Sequence, residues 1–131
     1  NDHANVLNFL MSKYKKLLSK TKKVRKLYDE KLFKLGISSI QPQSDTISNN
    51  HKFVIKVQDR DNLKAYLETK NIQSQIHYAL PLSKMKMFHT DQQMPNAEKF
   101  CGDVLSLPIH PFLEDYEVAY VCKCIGEFYG V

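Results

Sequence analysis

The chain has 131 residues, 43% hydrophobic and 25% charged, a size and balance that suit one globular domain with its own core and exclude a disordered or low-complexity segment. No apolar run approaches the ~18 residues that span a bilayer and no signal-peptide pattern opens the chain, so a cytoplasmic protein with no membrane contact is expected. The net charge of +5 is uneven: residues 1–34 carry nine Lys and one Arg against three acidic residues, a net +7, while the other 97 residues carry −2.

Residues 4–35 form one long amphipathic pattern. Leu7, Leu10, Met11, Tyr14, Leu17, Leu18, Val24, Leu27, Tyr28 and Leu32 recur at three- and four-residue spacings, the mark of a helix with an apolar stripe. Lysines fill its other faces, and Gly36 supplies a stop. Such a helix, roughly 45 Å long at 1.5 Å per residue, is longer than a small domain needs and is expected to lean on something beyond it. Residues 36–50 are mostly polar with irregular isoleucines and read as a loop. A β-type run follows over 51–57, and Asp59 is placed to cap a helix reaching Lys70. Residues 72–79 alternate Ile72, Ile76 and Tyr78 against Gln73 and Gln75, as a strand would. The stretch from Pro81 to Met94 reads as a loop with a short helical turn. Pro95 opens a helix to Asp103, Leu105 to Ile109 reads as a third strand, and Asp115 to Tyr129 closes the chain as an amphipathic helix. Three short strands against helices make a small α+β sandwich.

The three cysteines, an odd number, do not form a disulfide framework. Cys122 and Cys124 are a C-x-C on a helix, Cys101 stands alone, and no second pair lies at zinc-ligand spacing. No metal site is expected, and the cysteines read as buried free thiols.

Several motifs stand in a telling order. A basic helix carries Arg25-Lys26-Leu27-Tyr28 and Leu32; then come His51-Lys52-Phe53-Val54-Ile55, Arg60-Asp61-Asn62-Leu63, and His77-Tyr78-Ala79-Leu80-Pro81-Leu82. Pro95-Asn96-Ala97-Glu98, Leu105-Ser106-Leu107-Pro108 and Pro111-Phe112-Leu113 follow. Over nearly its whole length the chain resembles the C-terminal part of the DegT/DnrJ/StrS aminotransferases, sugar aminotransferases of pyridoxal phosphate fold type I. It departs from their pattern at Asn71, which replaces a glycine, at Asn5, where a small residue is usual, and at Glu114, where Ser or Thr commonly caps the last helix.

The resemblance implies an α+β small domain: a long N-terminal helix (1–35) linking to a large domain, a loop (36–50), and a three-stranded, mainly antiparallel sheet covered by helices (51–131), all one structural unit. It implies an enzyme that moves an amino group from an amino acid, commonly glutamate, onto a nucleotide-linked ketosugar for lipopolysaccharide or surface-glycan biosynthesis, working as a homodimer. Pyridoxal phosphate would be held by the lysine of the large domain. No cofactor and no catalytic residue is therefore expected in these 131 residues, and the isolated chain is expected to be inactive.

The residues expected to bind substrate are His77, Tyr78 and His51. Adjacent residues on a strand face opposite ways, so His77 and Tyr78 share a cleft only where the strand is ending. The resemblance makes this pair a contact to the sugar or diphosphate; the alternative is a structural histidine beside a core tyrosine. His51 either borders the same cleft or is a solvated strand start. His110, between two prolines, reads as structural, and Met85 and Met87 either line a sugar pocket or fill loop packing. Two further readings differ in class: a sugar dehydratase small domain of the same family, and a stand-alone binding module for sugar nucleotides or, through the basic helix, nucleic acid. Nucleic-acid binding is disfavoured because tyrosine and leucine lie on the apolar stripe rather than among the lysines.

Overall fold

The computed structural model describes residues 2–88 and 90–131. The elements run α1 (Asp2–Lys34), β1 (Ser38–Ser39), β2 (Phe53–Lys56), α2 (Arg60–Thr69), α3 (Pro95–Asp103), β3 (Val104–Leu107) and α4 (Asp115–Tyr129), with two 3-10 turns, Leu82–Lys84 and Lys86–Phe88, ahead of α3. The architecture is α+β, as the sequence pattern leads one to expect.

Helix α1 serves two purposes along its length. From Thr21 onward its stripe meets the core, with Val24, Tyr28 and Leu32 buried. Before that the same periodicity continues into solvent: Val6, Leu7, Phe9, Leu10, Met11 and Tyr14 are all exposed. The helix stops where expected. Gly36 takes a positive φ of 71°, and the Ile37 N–H donates to the Leu32 carbonyl at 3.0 Å, the closing bond of a Schellman turn.

The sheet has the order β1-β2-β3 and is antiparallel throughout, with Ser38 opposite Lys56 and Phe53 opposite Leu107. Two of its features depart from the sequence reading. Strand β1 lies inside 36–50, which reads as a loop because two serines carry little strand preference. Tertiary bonds hold it there: the Arg25 guanidinium donates to the Ile40 carbonyl at 2.9 Å, the Ser39 hydroxyl donates to Asp29, and the Ile40 N–H donates to Val54.

Residues 72–79, in turn, are not a strand. Their burial alternates as expected, with Ile72 and Ser74 inside and Gln73 and Gln75 outside. Yet the segment meets β3 at a single bridge, Gln75 with Ser106. In an antiparallel ladder only alternate residues of a strand bond to a given neighbour, so extension would need Val104 and Pro108. Pro108 has no N–H to donate, and the Val104 carbonyl already accepts from the Arg60 guanidinium at 3.3 Å. Pro108 thus blocks the ladder on one side of Ser106, and on the other the chain bends away at His77.

Helix α2 starts after Asp59 but not through a side-chain cap. Asp59 sits in the left-handed region, and its carboxylate accepts from the Asn62 side chain at 2.8 Å rather than from a backbone N–H. At the far end Asn71 adopts φ 59°, the conformation that makes it an adequate stand-in for glycine. Arg60 is buried and ties α2 to the α3–β3 junction through the carbonyls of Cys101 and Val104.

The core forms where α1, the sheet and α4 converge. The Tyr28 ring stacks on Phe53 with centroids 4.8 Å apart. Helix α4 contacts both α1 and α2 and buries Val118, Val121 and Ile125. Cys122 and Cys124 are buried there as free thiols. Burial pushes the Cys122 thiol up to about 12, against a smaller downward pull from Lys31, so it stays protonated and unreactive.

Three substitutions test this core. Tyr28→Ala is expected to cost about 3–5 kcal/mol by cavity formation. Tyr28→Phe should leave stability unchanged or slightly raised, because the buried hydroxyl has no hydrogen-bond partner among the described residues and losing it removes a desolvated polar group. Arg60→Met should cost about 3 kcal/mol, since one buried and one partly buried carbonyl lose a charged donor. Urea unfolding of the three variants checks all of these.

Candidate functional site

After the bridge at Gln75 the chain leaves β3, and it is at this departure that His77 and Tyr78 sit. The peptide bond between them is cis, and their rings meet edge to face at 5.8 Å. His77 is half-buried and Tyr78 is 64% exposed. Neither is a core residue.

His77 Nδ1 lies 2.9 Å from the Ser106 hydroxyl. Ser106 belongs to β3, the rigid strand, so this bond fixes the imidazole to the sheet. When the serine donates to Nδ1, the ring proton resides on Nε2. Burial lowers the His77 pKa below the ordinary histidine value, and the charges of Lys52 and His51 lower it further. The imidazole is therefore neutral at pH 7.

Two grooves share His77. One, of about 400 Å³, is lined by His51, Lys52, Gln73, Gln75, Ser106 and His110, among others. The other, of about 670 Å³, runs past Tyr78 and is largely apolar, with Leu82, Met85, Met94 and Phe100 in its walls. The structure thus brings all three sequence-derived residues, His51, His77 and Tyr78, to one region. His110 joins the first groove, although its Nδ1 also accepts from the Phe112 N–H at 3.2 Å, a structural task. Of the two methionines singled out in sequence, Met85 lines the apolar groove and Met87 is exposed. Lys52 and Ser106 escaped sequence reasoning. Both lie inside recognised motifs, but only the register of β2 with β3 places them beside His77. Lys52 Nζ stands 5.3 Å over the Tyr78 ring, a cation–π contact.

Residues 1–126 match the model of the DegT/DnrJ/EryC1/StrS aminotransferase family. The chain belongs to that family. Among its relatives is the dTDP-3-amino-3,6-dideoxy-alpha-D-galactopyranose transaminase of Aneurinibacillus thermoaerophilus, 36% identical over 80 residues, covering 60% of this chain and 22% of that one. The UDP-2-acetamido-2-deoxy-3-oxo-D-glucuronate aminotransferase of Pseudomonas aeruginosa is 26% identical over 104 residues, covering 79% of this chain and 29% of the relative. Among solved structures, S. venezuelae DesV in complex with a ketimine intermediate superposes with a TM-score of 0.85 at 26% identity, over 94% of this chain and 34% of DesV. The chain therefore spans about a third, or less, of the length of the family members it matches.

The family raises the question of pyridoxal phosphate, which needs an amine to hold it and a carboxylate facing its ring nitrogen. The grooves of this chain do not combine these. The apolar groove has no lysine in its walls, and the polar groove has Lys52 but no carboxylate. Pyridoxal phosphate does not fit either.

The electrostatics give a direct test. Because the folded pKa of His77 lies below the unfolded value near 6.5, the unfolded chain binds more protons as the pH falls through that value. The His77 contribution to stability is present above it and is lost as pH drops toward the folded pKa. Lys52→Gln should raise the His77 midpoint in an NMR titration while leaving it below 6.5, because burial, the larger cause, persists. A midpoint that does not move would mean that Lys52 is not the neighbouring charge.

Proposed function

We propose that this chain is the small domain of a pyridoxal phosphate-dependent aminotransferase that moves an amino group from an amino acid, glutamate in the first instance, onto a ketosugar carried on a nucleoside diphosphate. The observation that carries this reading is the convergence of His51, His77 and Tyr78 on two adjoining grooves in a chain of this family. Two relatives whose names specify nucleotide-linked sugars support the substrate class. The cofactor, its lysine and the acidic ring partner would belong to a large domain outside these 131 residues, so the chain alone would not transaminate. Amino sugars of this kind would go to lipopolysaccharide or surface glycan.

The geometry supports a division of labour. His77, fixed by Ser106 and kept neutral, is a hydrogen-bonding contact rather than a cation. Tyr78 offers an exposed phenol and ring for the sugar, and His51 flanks them from the start of β2. The exposed apolar side chains in the first turns of α1 support its role as the link that leans on the large domain; in the homodimeric enzyme this helix would carry the small domain toward the active site. Three free thiols suit a cytoplasmic enzyme.

In the full-length enzyme carrying this chain, His77→Ala should raise KM for the nucleotide ketosugar by about tenfold, the worth of one hydrogen bond near 1.4 kcal/mol. The half-reaction with glutamate should keep its rate. A glutamate half-reaction that falls equally would move His77 from the sugar to the cofactor, and no amino transfer to any nucleotide ketosugar would discard the enzyme reading.

A further inference from the structure

Past the bridge at Gln75 the chain crosses from the rigid sheet to a weakly held segment. No residue of 78–88 belongs to the hydrophobic core, and Tyr78, Leu80, Leu82, Met87 and Phe88 are each more than half exposed. Backbone bonds of the segment close within it or on Thr90, as from the Lys84 N–H to the Pro81 carbonyl at 3.0 Å. Among the described residues its one ion pair joins Lys84 to Glu98 of α3 at 3.4 Å. Toward the sheet there are two ties. His77, immediately ahead of the segment, holds the Ser106 hydroxyl at Nδ1, 2.9 Å away, and the Lys52 ammonium lies over the Tyr78 ring. A stretch that buries so little apolar surface opens at low cost, so these two ties decide where it rests.

The first tie suits one protonation state. Neutral His77 accepts the serine proton at Nδ1, whereas an imidazolium has no acceptor left. The Ser106 hydroxyl would then have to turn its hydrogen elsewhere, yet it is buried and has no other partner among the described residues, a costly arrangement. Burial, and after it the charges of Lys52 and His51, act in the same direction on His77. His110 lines the same groove, and neither groove beside His77 has an Asp or Glu in its walls to receive an imidazolium.

We propose that the Ser106–His77 bond is an acid-released latch, with neutral His77 holding residues 78–88 against the sheet and its protonation letting them go. The latched form binds a proton more weakly than the released form, so acidification favours release. The Lys84–Glu98 pair keeps the far end on α3. The segment therefore swings at its Tyr78 end and opens the wall that His77 shares between the two grooves. Ser106 is a positioning residue in this device, and the device operates whatever ligand the grooves take.

Backbone ¹⁵N relaxation of the 131-residue chain tests the proposal, recorded at neutral pH and again below the His77 midpoint read from its ring resonances. Order parameters of the segment should stand near those of rigid backbone, about 0.85, in the first state and drop below about 0.6 in the second, while β2 and β3 keep theirs. Ser106→Ala should loosen the segment in both states, and Ser106→Thr, which restores a hydroxyl, should bring the pH dependence back. His77→Gln, whose carboxamide oxygen can accept from Ser106 at any pH, should hold the segment throughout. A segment equally ordered in both states, or one that Ser106→Ala leaves unchanged, overturns the proposal. Loosening that persists with pH in His77→Gln does the same, because another group would then be titrating. Loss of order in β2 and β3 at the same pH also overturns it, since the domain would be opening as a whole.

Discussion

The stack of Tyr28 on Phe53 is the contact on which the rest of this structure depends. It joins the middle of a 33-residue helix to the first full strand of the sheet, and both rings are fully buried. Beside it, α1 is held by its packing on α4 and β1, by Arg25 over the same Phe53 ring and by a handful of polar bonds. With it, the direction of α1 is set against β2, and β2 in turn carries His51 and Lys52 at its leading end. Helix α4 completes the clamp with Val118, Val121 and Ile125. Burial of aromatic and aliphatic surface supplies the energy, while polar bonds such as Arg25 to Ile40 fix the register of the weak edge strand.

A second constraint shapes the site: β3 stops accepting partners. A continuous fourth strand along its outer edge would have kept residues 72–79 flat and sent His77 and Tyr78 to opposite faces. Pro108 has no N–H to extend the ladder on one side, and on the other the chain bends away at His77, so that edge keeps the single Gln75–Ser106 bridge. The chain then departs at His77, and both rings can serve the same region. Arg60, a residue of one family motif, has a structural reason for its place: it donates to the carbonyls of Cys101 and Val104 and ties α2 to the head of β3.

Much of the fold was legible in the sequence because its signals were local. Pro95 and the periodic run after Asp115 bound α3 and α4 at the residues observed, and Gly36 ends α1. What was not legible depends on long-range bonds. Ser38–Ser39 become a strand only because Arg25, Asp29 and Val54 hold them, and the apolar alternation of residues 72–79 cannot report that Pro108 and the bend at His77 stop their pairing with β3. The site divides the same way. His77 and Tyr78 announce themselves by motif, whereas Lys52 and Ser106 matter through a register that pairs Val54 with Ser106 and brings the start of β2 alongside the bridge. The stripe of α1 illustrates the converse. Its periodicity is real to the first turn, yet periodicity does not say which apolar positions this domain covers for itself.

The polar groove joins the two constraints. Lys52, just ahead of β2, places its ammonium over the Tyr78 ring, and burial together with that charge holds the His77 imidazole below the ordinary histidine pKa. The contact that sets β2 and the interrupted edge of β3 therefore meet at one histidine. Local violations of otherwise consistent patterning collect at functional sites, and the bend at His77 lies within the residues that the family motif singles out.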